Sequence, residues 1–434
     1  MAKTYRPYCP DQMFLLPPSL RDWLPENHLV YFVSDVVDQL DLSKIESVYE
    51  KDERGQPPFH PRMMTKVLVY AYCVGVFSSR RIQKRLVEDI PFRVLAAGNQ
   101  PDFRTISDFR KIHLDALQNL FEQVLKLALT AGAIKLGRVA LDGTKIKANA
   151  SKHKAMSYKR MKEETRKLRA EVQQLLKQAE AADDEEDARY GKGKSGDELP
   201  EELSRRETRL QRIKEAKKAL EQRAREEAQK SKENSGPEKK AVPEDKAQYN
   251  FTDPESRIMK GADEFVQAYN GQAVVEQKCQ LIVAQAVTQE ANDKKQTIPM
   301  MEAIKEQAGQ MPAELLADSG YCSDENLKAL ENKPVDIYIA TGRQKHGKRG
   351  PSCKPGPLPQ GAKRVDKMAR KLQTKAGATV YAARKSIVEP VFGQIKQARG
   401  FRQFLMRGIR KVRGEWALVC ATHNILKMYR LCYG

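Results

Sequence analysis

The chain has 434 residues, 77 of them Lys or Arg and 57 Asp or Glu, for a formal charge of +20 with 40% hydrophobic residues. That length implies two or three domains, and the composition implies a true core inside an unusually charged shell. No run reaches the ~18–20 apolar residues of a membrane span, and the opening residues lack the apolar stretch of a secretory signal peptide. Seven cysteines, scattered and with no C-x-x-C pair, argue against a disulfide scaffold or zinc ribbon and for a reducing, cytoplasmic setting.

Residues 18–134 read as helical. In HPRMMTKVLVYAYCVGVFSSRRIQKRL apolar residues recur at helical spacing, and Pro61 suits a first helical position. After the break at GNQPDF, Thr105 or Ser107 is placed to cap a helix whose stripe is Leu114, Leu117, Phe121, Val124 and Ala128, ending near Gly132. His28, His60 and His113 in this block are given no chemistry. The pattern then changes to a short apolar run, 138–141, that ends in Asp142. Further on, FVQAYNGQAVVEQ and LIVAQAVTQ read as paired strands joined around residues 278–280. A helix over 297–307, a run at 313–317 ending in Asp318, a helix over 324–331 and a strand over 335–340 follow. Strands that pair first and then alternate with helices indicate a mixed α/β sheet.

Residues 152–250 interrupt that sheet. Met161, Thr165, Leu168, Val172, Leu175 and Ala179 step by threes and fours, and so do Leu203, Arg206, Leu210, Ile213, Lys217, Leu220 and Ala224. Two helices separated by the acidic, Gly-containing stretch 181–200 would make an antiparallel coiled-coil hairpin with arms roughly 40 Å long. A charged linker is the alternative.

The charge is concentrated at the end. Residues 341–434 hold 22 Lys or Arg against only Asp366, Glu389 and Glu415, yet keep Phe392, Phe401, Phe404, Trp416 and an apolar run over 417–426. A disordered tail would lack those apolar residues, so this is a folded basic surface, and nucleic acid is the partner it suits. Asp142, Asp318 and Glu389 stand out against it. Each has a plain structural account, as a turn residue or a salt-bridge partner. Together they suit metal-assisted phosphodiester chemistry, because Mg²⁺ prefers hard oxygen ligands and two such ions can serve both oxygens of an in-line displacement. Cys420 and His423 have C-x-x-H spacing inside an apolar helical run and are read as packing. No GxxxxGK[ST] loop is present to drive ATP-powered movement.

The segments LDGTKIKANAS, ADSGYCSDEN and YAARKSIVEPVFGQIK, with FHPRMMTKVLVYAYCVGVFSSRRI and PDFRTISDFR nearer the start, resemble the insertion-sequence DDE transposases with a Tyr–Arg–Glu–Lys signature. The resemblance implies an RNase H-like catalytic domain over 135–151 and 251–434, a helical DNA-binding domain over 1–134, and the 152–250 insertion. It implies that Asp142, Asp318 and Glu389 hold two Mg²⁺ or Mn²⁺ ions. It also implies cleavage at terminal inverted repeats, strand transfer into target DNA, a dimer or larger assembly on double-stranded DNA, and a nucleoid location. Tyr381 and Lys396 match the signature, but four residues separate Arg384 from Glu389 where the pattern has three, so either Arg384 or Lys385 takes the arginine role. Pro390 suggests that the helix is kinked or begins there. With Tyr381, Arg384, Lys385 and Lys396, the residues Arg399, Arg402, Arg407 and Arg410 form an expected DNA track. A nuclease that cuts without joining and a silent DNA-binding protein are the other readings.

Overall fold

The computed structural model describes residues 19–49, 57–190, 201–233, 241–261, 264–342 and 361–434. Cys9, Cys353 and the second half of the expected hairpin turn, 191–200, lie outside the described residues, while 181–190 continue the first helix of the pair. Among those described, no helix is long and apolar enough to cross a membrane.

Among the described residues, after a 3-10 turn at Leu20–Trp23, seven α-helices come first: α1 (Leu29–Asp38), α2 (Ser43–Glu46), α3 (Pro61–Cys73), α4 (Ser79–Glu88), α5 (Ile90–Leu95), α6 (Phe103–Ile112) and α7 (Leu114–Thr130). Local chemistry sets their ends. Pro61 opens α3, and the imidazole Nδ1 atoms of His28 and His60 accept from the backbone N–H groups of Val30 and Arg62 at 3.1 and 3.2 Å. The helix expected to run from Thr105 or Ser107 through the 114–128 stripe is two helices divided at His113; Asp102 caps the first, α6, by accepting from Thr105 N–H at 2.6 Å. The expected stripe of α7 is buried throughout.

The sheet is built from β1 (Arg138–Lys147) and five strands found later in the chain. After β1 come β2 (Ala155–Ser157), α8 (Tyr158–Tyr190), α9 (Glu201–Glu233), β3 (Gln248–Asn250) and β4 (Arg257–Lys260). The hairpin β5 (Phe265–Glu276) and β6 (Ile282–Thr288) follows, then α10 (Thr297–Ala308), β7 (Glu314–Ala317), α11 (Asp324–Leu330) and β8 (Asp336–Ile339). β1 lies in the middle, antiparallel to β5 on one side and parallel to β7 on the other. β8 continues the sheet beyond β7, while β6 and β4 both pair with β5.

The insertion is a helix pair standing on the small β2–β3 ribbon. Tyr158, Met161 and Leu168 pack against Leu210, Ile213, Ala216 and Leu220. Ala216 fills the position expected for Lys217, whose ammonium lies 5.8 Å from the Tyr158 ring centre instead. A methyl group fits between close helices where a charged head would need desolvation.

Three helices complete the fold: α12 (Arg364–Gln373), α13 (Lys375–Gly393) and α14 (Ile409–Tyr433). α13 neither begins nor breaks at Pro390; it runs through it into a π-helical stretch at 394–398. Pro390 has no N–H for the carbonyl of Ser386, and Gln280 Nε2 from the β5–β6 turn donates to that carbonyl at 2.9 Å. One apolar core joins the helical block to the sheet, containing Val33, Tyr72, Phe121, Val274, Leu316 and Trp416 alike. Two glycines permit close approach: a Cβ on Gly414 would sit 2.7 Å from Leu114 Cδ1, and one on Gly271 would sit 3.1 Å from the Trp416 ring.

Candidate active site

Asp142 is not at a strand end. β1 continues five residues past it, because β5 pairs with it from Val139 to Lys147. The parallel pairing with β7 does stop there: Leu141 lies opposite Ala317, and the next residue on each strand is an aspartate. Asp142 and Asp318 therefore sit side by side where two parallel strands part. Asp318 caps a single turn, its Oδ1 accepting from Gly320 N–H at 2.8 Å. Asp142 Oδ2 receives Arg384 Nη1 from α13 at 3.2 Å. Burial raises the Asp142 pKa to about 6; Arg384 opposes that shift and the neighbouring charge of Asp318 adds to it.

Arg384, buried on α13, is the residue that reaches Asp142, while Lys385 is exposed. Tyr381, one turn earlier, is half-buried in the same electrostatic environment, with its hydroxyl pKa raised by burial. Glu389 is exposed. It stands five residues from Arg384, about 140° around a helix at 100° per residue, so the longer gap in the signature turns it away from the face that carries the arginine. Among the described residues, no group of three or more His, Cys, Asp or Glu side chains converges to hold a metal ion.

The basic residues divide. Lys396 Nζ donates to the backbone carbonyl of Lys145 on β1 at 2.9 Å. Arg402 and Arg407 are exposed, and Arg410 is exposed and paired with Asp115. Arg399 departs from the expected track. It is 6% exposed, with Nη1 on Thr422 Oγ1 at 2.8 Å and Nη2 on the Val419 carbonyl at 3.1 Å, so it braces α14 from inside. Cys420 and His423 are fully buried in α14, where the His423 ring pairs with Gln394 Oε1 and the Gln280 carbonyl.

Sequence reasoning missed one carboxylate. Asp293, in the turn before α10, lies behind β1 and accepts from Lys145, Asn270 and Gln272. Its signal was the pair of polar residues, Asn270 and Gln272, two apart in an otherwise buried strand.

Asp142 and Asp318 suit a divalent cation. Both offer hard oxygens, and their mutual repulsion in a desolvated setting is the field that a cation relieves. Residues 18–112 match the family model described as a transposase domain (DUF772), and residues 358–429 match that of a transposase DDE domain. The second match takes in Arg384, Glu389 and Lys396, while Asp142 and Asp318 lie outside both. No curated protein and no solved structure matches the chain.

Proposed function

Starting from the chain's identification as an insertion-sequence DDE transposase, we propose that it cuts DNA at the terminal inverted repeats of its element and joins the freed ends to target DNA. The observation that carries this reading is the pairing of Asp142 with Asp318 beside Arg384, on a sheet flanked by two transposase-type segments. The strand order, with β1 between an antiparallel hairpin and two parallel strands, supports an RNase H-like catalytic domain.

Asp142 and Asp318, joined by Glu389, are the proposed ligands of two Mg²⁺ or Mn²⁺ ions. Such ions supply Lewis-acid stabilisation to the attacking and leaving oxygens of an in-line displacement. For Glu389 to join the pair, α13 must rotate or its side chain must swing inward. Arg384 offsets part of the cost of burying Asp142 and, with Tyr381, orients the carboxylate. Lys396 holds β1 at Lys145, and Lys385, Arg402 and Arg407 offer exposed cations to DNA phosphates. In the first step, water attacks the phosphorus at an element end, and the broken P–O bond leaves a 3′-OH. In the second, that hydroxyl attacks a target phosphodiester, forming one P–O bond as another breaks, so no protein–DNA covalent link arises.

The helical block presents Arg80, Arg81 and Lys84 on the exposed side of α4, with Arg80 stacked 5.0 Å from the Phe103 ring centre. This face is the proposed reader of the terminal repeats. The helix pair, as a coiled-coil hairpin, is proposed to bridge two ends in a dimer or larger assembly.

The test is incubation of purified protein with DNA carrying the element's ends in Mg²⁺ or Mn²⁺, beside Asp142→Ala and Asp318→Ala. Cleavage and joining that both substitutions abolish support the reading, and cleavage that survives either one refutes the site. A second reading, DNA binding without cleavage, draws on the exposed position of Glu389; binding with no cleavage in either metal would select it.

A further inference from the structure

A buried polar network runs behind the acid pair, and the chemistry proposed above leaves it unused. Gly143 pairs with Gln272 and Lys145 with Asn270, so these four residues share the sheet face opposite Asp142. Asp293 lies against that face. Its Oδ1 accepts from Asn270 Nδ2 at 2.6 Å, from Gln272 Nε2 at 2.8 Å and from Lys145 Nζ at 3.3 Å. The other end of the Gln272 amide, Oε1, accepts from the Tyr321 hydroxyl. A carboxylate can only accept here, so it fixes the amide with nitrogen toward Asp293 and oxygen toward Tyr321, which must donate. Burial, and then the charges of Asp293, Asp142 and Asp318, push the Tyr321 pKa well above 10 and keep that proton in place. The result is a chain polarised in one direction, from Tyr321 through Gln272 to Asp293, whose bonds strengthen one another. Tyr321, Gln272 and Asn270 are all fully buried.

Each end of the chain lies against backbone that carries one member of the acid pair. Tyr321 closes the turn that Asp318 caps, and its backbone carbonyl is held by Asn326 Nδ2 at 2.8 Å and Thr297 Oγ1 at 3.2 Å. At the other end, Gly143 directly follows Asp142. A Cβ there would lie 2.4 Å from Gln272 Nε2 and 2.8 Å from Asp293 Oδ1, so the network presses on the β1 backbone at that point. A turn alone does not require a carboxylate held by three side-chain donors. Holding β1 at Asp142 against the turn that follows β7 does.

We propose that Tyr321, Gln272 and Asp293 are positioning residues that set the spacing of Asp142 and Asp318, and so the strength with which that pair holds a divalent cation. This rests on the reading of those two acids as metal ligands.

The test uses the full chain, with Mn²⁺ affinity measured by calorimetry and the Mn²⁺ dependence of end cleavage measured in parallel, for wild type, Tyr321→Phe and Asp293→Asn. Both substitutions keep side-chain shape. The expected result is a Mn²⁺ dissociation constant and a half-saturating Mn²⁺ concentration each raised roughly tenfold, the scale of one lost buried hydrogen bond. Cleavage at saturating Mn²⁺ should stay within about threefold of wild type, and metal-free binding to end DNA should not change. Wild-type Mn²⁺ affinity in either variant, with a wild-type unfolding midpoint, overturns the proposal. So does a loss of cleavage that saturating Mn²⁺ does not restore. Should Tyr321→Phe fail to fold, Asp293→Asn carries the test alone. Wild-type protein that binds no Mn²⁺ would instead remove the ligand reading, and the proposal with it.

Discussion

Glu415 lies in the basic C-terminal region but does not face DNA. It is 1% exposed. Its Oε2 accepts from the backbone N–H groups of Leu405 and Met406 at 2.9 and 3.2 Å, and its Oε1 accepts from the Tyr72 hydroxyl at 3.2 Å. Tyr72 in turn accepts from Arg110 Nη1 at 3.1 Å, so one carboxylate ties α14 and the loop before it to α3 and α6. Glu415→Ala would leave three donors without that acceptor, two of them on the buried residues Tyr72 and Met406, and the Arg110 guanidinium without its counter-charge. Removing one partner of such a buried charged group costs about 3–5 kcal/mol. At about 2 °C per kcal/mol for a large cooperative unit, the unfolding midpoint should fall by roughly 6–10 °C. Glu415→Gln keeps an acceptor for the two backbone amides but loses the charge, and should cost about 1–3 kcal/mol. The assay is thermal unfolding for the midpoint and denaturant unfolding for the free energy, both followed by fluorescence of Trp416, which is fully buried beside Glu415, with exposed Lys411→Ala as the neutral control. A Glu415→Ala protein within about 1 kcal/mol of wild type would refute the reasoning, because no buried acid so connected can be that dispensable.

Three further outcomes are expected. The Asp142 pKa is raised from 3.8 to about 6, so its contribution to stability is full below pH 3.8 and is lost as pH rises through about 6. In EDTA, wild type should lose up to about 2–3 kcal/mol relative to Asp142→Asn between pH 4 and 7, and parallel pH profiles in denaturant unfolding would contradict this. Lys385→Ala and Arg402→Ala should each reduce the slope of log affinity for DNA against log salt by roughly 0.9, the effect of one lost phosphate contact; filter binding across a salt series reads it. Replacing residues 158–233 with a short Gly-Ser linker should abolish paired-end complexes in gel-shift assays while sparing single-end binding, and unchanged pairing would remove the bridging role.

Much of this architecture was legible in the chain because it is local. The hairpin runs, the helix after them, and the strands ending near Asp318 and at 335–340 follow from alternation and helical periodicity. What was not legible depends on partners distant in sequence. Asp-Gly after an apolar run reads as a turn, yet β5 carries β1 straight through Asp142 and Gly143, where no room exists for a Cβ. Arg399 and Glu415 sit in a block that charge alone assigns to DNA, and only tertiary packing turns them inward. Pro390 signals a helix boundary, but Gln280 from another element takes up the carbonyl it orphans. Asp293 sits in Asn-Asp-Lys, ordinary turn chemistry, and acquires its place only when Asn270 and Gln272 face it across the fold.

The central claim is that Asp142 and Asp318 hold the metal at which DNA is cut, and metal preference tests it most directly. Asp142→Cys and Asp318→Cys each replace a hard oxygen with a softer sulfur, which Mn²⁺ tolerates better than Mg²⁺. End cleavage by both variants should vanish in Mg²⁺ and return in part in Mn²⁺, while wild type cuts in either metal. Full Mg²⁺-dependent cleavage by either variant, or Mn²⁺ that restores neither while both still bind end DNA, would contradict the account.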